Sequence, residues 1–173
     1  DRAAAAESDD DAESWEQVRG VLSAERQSSE VFKDPAVLRW MERLQEHFVE
    51  SGKVGKSSSL ADIVQTVHRE LFLGEQEQYR IPDTSAAVAQ CLLTYQSSHR
   101  PDDLWHFVTP DFREASLWLQ LTSGDNRDMV AVHDALDEFM AKEPPPGGLE
   151  PRWFGLTHIN VVWQDKMVAG MLK

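Results

Sequence analysis

Two pairs of side chains stand at a spacing that can do chemistry on a helix: His133 with Asp137, and Asp102 with His106. An imidazole and a carboxylate one turn apart share a helix face, so either pair can hold a metal ion or work as acid and base. The same spacing also describes a solvated helix face with an ordinary i,i+4 pair, and the weight of the reading falls there. His47, His68, His99 and His158 are scattered. The one cysteine, Cys91, falls among Val88, Leu92 and Tyr95, where it reads as a small buried hydrophobe rather than a nucleophile. A single cysteine leaves no internal disulfide and no cysteine-rich zinc site. Asp102-Asp103 and Glu75/Glu77 are too short for a calcium loop, which needs ligands at several fixed positions. No HExxH, GxSxG, Walker or GxGxxG pattern occurs. The residues therefore lead to no catalytic group, no metal site and no cofactor.

The aromatic residues are more informative. Six tryptophans in 173 residues are a high share, and large amphipathic rings suit cores, interfaces and apolar-ligand pockets. Trp105, Phe107, Trp118, Trp153, Phe154 and Trp163 all lie in the second half. Trp118 interrupts an otherwise polar strand face, so something must cover it: a packed helix, a neighbouring domain, or a ligand in an apolar cleft.

Composition narrows the partners. Acids outnumber bases 30 to 17, a net charge of −13. Phosphate binding needs clustered Lys and Arg, so neither a nucleic acid nor an anionic membrane surface fits. Hydrophobic residues at 41% and charged residues at 27% suffice for a core, and the length fits one domain or one domain with extensions. No stretch approaches the ~18 consecutive apolar residues of a membrane span, and no signal-peptide pattern opens the chain.

The elements that must position these groups follow from local signals. Residues 1–30 hold nine acids and three bases, with the acidic run Glu7 to Asp11 following Asp1-Arg2 and four alanines. Trp15, Val18, Val21 and Leu22 recur at helical spacing, so residues 11–28 read as a short helix or a flexible linker. Asp34-Pro35 is an N-cap followed by proline at the first helical position. Val37, Leu38, Met41, Leu44, Gln45 and Phe48 then mark one face, and Ser51-Gly52 ends the helix. A short extended piece covers 53–56. Ser59-Leu60-Ala61-Asp62 resembles a capping box with Asp in place of Glu, opening a helix with Ile63, Val64, Val67, Leu71 and Phe72. Residues 74–83 read as a loop. Thr84 or Ser85 caps the next helix, His99-Arg100-Pro101 breaks it, and 102–107 make a helical turn.

Residues 113–122 give the best strand. Ala115, Leu117, Leu119 and Leu121 alternate with Glu114, Ser116, Trp118 and Gln120. A turn at 123–126 leads into a helix over 127–142. Pro144 to Gly148 forces a loop, 151–156 reads as a second strand, and His158 to Lys173 as a weakly amphipathic helix. Strand 113–122, helix 127–142 and strand 151–156 make a β-α-β unit. The fold class is α+β, a small sheet covered by helices.

Several segments together resemble the extracytoplasmic porter domain of resistance-nodulation-division (RND) exporters, especially the lipid-exporter branch with the hopanoid and MMPL-type transporters. They are Asp34-Pro35-Ala36-Val37-Leu38 through Leu44-Gln45, Val54-Gly55-Lys56 with Ser59 to Asp62, Tyr79 to Thr84, Asp102-Asp103-Leu104, and Phe107 to Arg113. Trp163 to Leu172 looks like the helix leading into the next transmembrane span. The likeness covers about 33–173, and the order and spacing of the segments carry it. That family normally has a strand before the Asp-Pro helix, and no such strand is visible in the acidic leader, 1–32.

The resemblance implies ferredoxin-like split β-α-β porter subdomains on the periplasmic side of the bacterial inner membrane. It implies no enzyme: the work is binding a hydrophobic lipid such as a sterol or hopanoid and moving it by subdomain motion. Tyr95, Trp105, Phe107, Trp118, Trp153 and Phe154 are then the ligand-binding candidates. The implied partners are the lipid, the rest of the membrane transporter, a periplasmic adaptor or carrier protein, and a second protomer in a homo-oligomer. Two other readings stand beside it: a docking domain that never touches substrate, and a metal hydrolase using His133 and Asp137.

Overall fold

Asp34 starts the first helix by accepting a bond from the Ala36 amide at 2.8 Å. This computed structural model describes residues 30–171, so the helix read over 11–28 lies outside the described residues. Helix α1 (Pro35–Glu50) buries Val37, Leu38, Trp40, Met41, Leu44 and Phe48 on one side. It stops at Ser51 and Gly52; Gly52 takes a φ of +72°, a conformation that costs glycine nothing. The chain then enters β1 (Val54–Ser58). Helix α2 (Leu60–Leu71) begins at the expected capping box: Ser59 Oγ accepts from the Ala61 amide at 3.1 Å, and Asp62 Oδ2 accepts from the Ser59 amide at 2.7 Å. Of the two possible caps for α3 (Ser85–Gln96), Thr84 is the one that acts, accepting from the Ala87 amide. A 3₁₀ segment, Pro101–His106, follows where proline breaks the chain.

The alternating stretch at 113–122 divides its pairing between two partners. Its second half is β2 (Trp118–Leu121), antiparallel to β1, with Val54 opposite Leu121 and Ser58 opposite Trp118. Its first half folds back on the chain before it: Val108 and Ala115 form a bridge, closed by Thr109 N–H to Glu114 O at 2.9 Å and Ser116 N–H to Phe107 O at 2.8 Å. The strand is therefore shorter than the alternation predicts. Helix α4 (Asn126–Lys142) follows, capped by Asp125.

The second strand expected at 151–156 does not form. Residues 151–155 run without strand pairing and helix α5 (Leu156–Met171) begins at Leu156. Pro151 has no N–H to give a ladder, and Gly155 sits at φ +108°, outside the extended region. The β-α-β unit is left open, and the sheet among the described residues has two strands, β1 and β2. The class nonetheless holds: α+β, with a small sheet covered by helices.

Helix α1 lies at the centre, against β1 and against α2 and α4. Phe32, from the short 3₁₀ segment Val31–Lys33, belongs to the same core, and its amide donates to Phe112 O at 3.2 Å. A buried polar knot joins α1 to the capping box. Gln45 is 7% exposed and gives its amide nitrogen to Ser57 Oγ at 3.1 Å and Asp62 Oδ2 at 2.9 Å, while its oxygen accepts from Ser59 Oγ at 2.6 Å. Every polar atom of that side chain is used, which is what burial of an amide requires.

Candidate functional site

Beside this closed half, α1, β2, α4 and the segment 148–158 surround an open cleft of about 840 Å³. Met41, Leu44 and Phe48 form its floor from α1, Leu119 and Leu121 from β2, and Val132 and Leu136 from α4. These are the inward positions of two amphipathic helices and one alternating strand. Their periodicity places apolar side chains here regardless of what occupies the space above.

Four of the six aromatic candidates meet at the cleft: Trp105, Trp118, Trp153 and Phe154. Trp118 and Phe154 stand edge to face, ring centres 5.5 Å apart, and are 48% and 56% exposed. The Trp118 indole N–H donates to His106 O at 3.1 Å, so the polar handle is satisfied and the ring face is left for another apolar surface. Trp153 lies deeper, edge-on to Phe48 at 6.3 Å and against the His133 ring at 4.5 Å. Trp105 sits edge-on to Phe112, 40% exposed. Tyr95 and Phe107 are not among the cleft residues. Both pack partly buried against the core, so burial within the fold accounts for them. Trp163 stands on α5, away from the cleft and 63% exposed.

The histidine and aspartate pairs resolve differently from their spacing. His133 meets His158 of α5, with Nε2 and Nδ1 3.3 Å apart. Burial of the His133 ring and the nearby His158 hold its pKa below the ordinary histidine value, opposed by Asp134 and Asp137. Asp137 is exposed, and so are Asp102 and His106. Among the described residues no group of three or more His, Cys, Asp or Glu is placed to hold a metal ion. Cys91 is 1% exposed, and burial pushes its thiol pKa up, away from the nucleophilic thiolate.

Two residues of the site escape sequence reasoning. His158 was one scattered histidine among several, and its partner lies 25 positions away; no local pattern links them. Arg152, at the cleft edge, pairs with Glu150 at 3.4 Å in the solvent. Helix α5 packs on α4, with Asn126 Nδ2 donating to Gln164 Oε1 at 2.7 Å, and buries Val161. It leaves Ile159, Val162, Trp163, Met167 and Val168 exposed. Among the described residues no helix is long and apolar enough to cross a membrane. Comparison of the chain with protein-family models, with curated proteins and with solved structures gives no match.

Proposed function

We propose that the chain is a periplasmic substrate-binding domain of an RND-type inner-membrane transporter, and that its cleft receives a hydrophobic lipid of the sterol or hopanoid kind. The observation that carries this reading is the Trp118–Phe154 pair, half-exposed over an apolar cleft whose volume lies within the roughly 300–1,000 Å³ of small-molecule sites. A polycyclic lipid that loses on the order of 300 Å² of apolar surface to water gains roughly 7 kcal/mol, enough to exceed the cost of association at its lower estimates. The resemblance in the segments from Asp34 to Arg113 supplies the transporter context, and the lipid branch of that family supplies the substrate class. No covalent step enters this function; binding and subdomain motion perform it.

Titration with a polycyclic lipid, read by intrinsic tryptophan fluorescence, tests it. Saturable binding is the expected result, and Trp118→Ala should weaken it by about 1–3 kcal/mol, the scale of one large side chain. Equal binding with a strong drop in melting temperature would place Trp118 in the core instead.

A second reading has its own observation. The exposed apolar side chains of α5, Trp163 and Met167 among them, suit docking to a periplasmic adaptor, another protomer or the rest of the transporter. No saturable response to any polycyclic lipid would favour docking.

A further inference from the structure

We propose that the His133–His158 pair is the polar end of the cleft and selects a lipid that carries a hydroxyl head group. This rests on the lipid-binding reading above. The cleft floor and its aromatic wall offer burial but no direction, and the charged residues at its edge, Arg113, Glu114, Glu150 and Arg152, are exposed to solvent. His158 lines the cleft at its α5 end, next to Phe154, Gly155 and Thr157. Its Nδ1 is engaged with His133 Nε2, and the His133 ring is itself held against Trp153. The other nitrogen of His158, Nε2, has no hydrogen-bond partner among the described residues. It is not a buried orphan either: Gln78 Oε1 is the one buried unpartnered side-chain atom among them. His158 as a whole is half-buried and lines the cleft, and an unpartnered imidazole nitrogen on such a residue can hydrogen-bond a ligand atom.

The pair also dictates what that atom can be. In a neutral imidazole one nitrogen donates and the other accepts. If His158 Nδ1–H donates to His133, then His158 Nε2 is an acceptor. If His133 Nε2–H donates, then His158 Nε2–H is a donor. The two arrangements differ by a change of tautomer in each ring, so His158 Nε2 can take either role. A hydroxyl, which is donor and acceptor at once, pairs with both arrangements. A carbonyl or carboxylate pairs with only one. A hydrocarbon without any polar head leaves the nitrogen desolvated and unpaired.

The experiment compares cholesterol with cholestane, which lacks the hydroxyl, each delivered from cyclodextrin and read by tryptophan fluorescence. The wild-type chain should bind cholesterol roughly fivefold more tightly, the scale of one hydrogen bond. His158→Leu should make the two affinities equal while the far-ultraviolet circular dichroism melt stays close to wild type. His158→Gln, whose amide nitrogen and oxygen reach near the Nε2 position, should keep the preference and so shows that the loss in the leucine variant is not a folding defect. Equal binding of the two probes by the wild type, or a preference that survives His158→Leu, overturns hydroxyl recognition and leaves the lipid cleft standing. Saturation by neither probe overturns the lipid cleft itself.

Discussion

The half of the molecule around Gln45 and the half around Trp118 use similar materials to opposite ends. In the first, α1, β1 and α2 close over one another. Leu38, Leu60 and Val64 are fully buried, and the Gln45 amide beside them engages both its nitrogen and its oxygen with neighbours. In the second, the same helix α1 offers apolar side chains to a space that β2, α4 and the 148–158 segment surround without filling. Trp105, Trp118 and Phe154 there are about half exposed, although the Trp118 indole N–H is satisfied by His106 O. The difference is one of cover: the first half is closed by its own neighbours, and the second leaves ring faces uncovered.

Breaking the closed half should have the largest effect. Leu38→Ala is expected to cost about 2–5 kcal/mol of stability, measured by urea unfolding, because the core around it has little room to collapse. A cost under about 1 kcal/mol would mean that α1 is not the central element. Gln45→Ala comes next. It leaves the Ser59 hydroxyl, Ser57 and Asp62 short of a buried partner, at about 1–3 kcal/mol. Trp118→Ala should sharpen the contrast by reversing the pattern: unfolding shifts by less than about 1 kcal/mol while lipid affinity falls by the amount given above, since much of the ring is already in water. Gly155→Ala should be modest, about 1–2 kcal/mol, from backbone strain alone, because a Cβ there meets nothing within 4 Å.

The smallest effect is in pH. The His133 pKa is lowered first by burial and then by His158, with Asp134 and Asp137 opposing. Below the ordinary histidine value of 6.5 the unfolded chain takes up this proton before the folded one does. Stability should therefore fall as pH drops from 6.5 and level off below the folded value. His133→Gln should flatten that limb in urea titrations between pH 7 and 5; an unchanged limb would assign it to other groups.

Much of the closed half can be read from local chemistry. Asp34-Pro35 and Ser59 to Asp62 name their helix starts because a cap needs only residues two or three positions away. The burial of Cys91 follows from its apolar helix neighbours in the same way. Gln45 was legible only as one more position on the apolar face; its role depends on Ser57, Ser59 and Asp62 arriving from the next two elements. The alternation at 113–122 predicted a single strand, but alternation says which face is buried and not which partner pairs. The chain chose two partners, turning at Phe112, which takes a φ of +55°. The stretch at 151–156 carries strand-like residues, yet Pro151 and Gly155 leave it without a ladder.

The site shows the same division. Trp105, Trp118, Trp153 and Phe154 line the cleft, whereas Tyr95 and Phe107, alike in type, pack partly buried against the core without lining it; Trp153 does both. Residue type cannot separate those outcomes, because burial by protein and burial by ligand have the same hydrophobic driving force. Helix caps, helix faces and the inward side of β2 were decided within a few residues of chain, by hydrogen bonds and periodicity that act over short range. The cleft, the Gln45 knot and the meeting of His133 with His158 were decided only when α1, α4 and α5 came together, because those contacts join groups far apart in the chain and no local pattern encodes them.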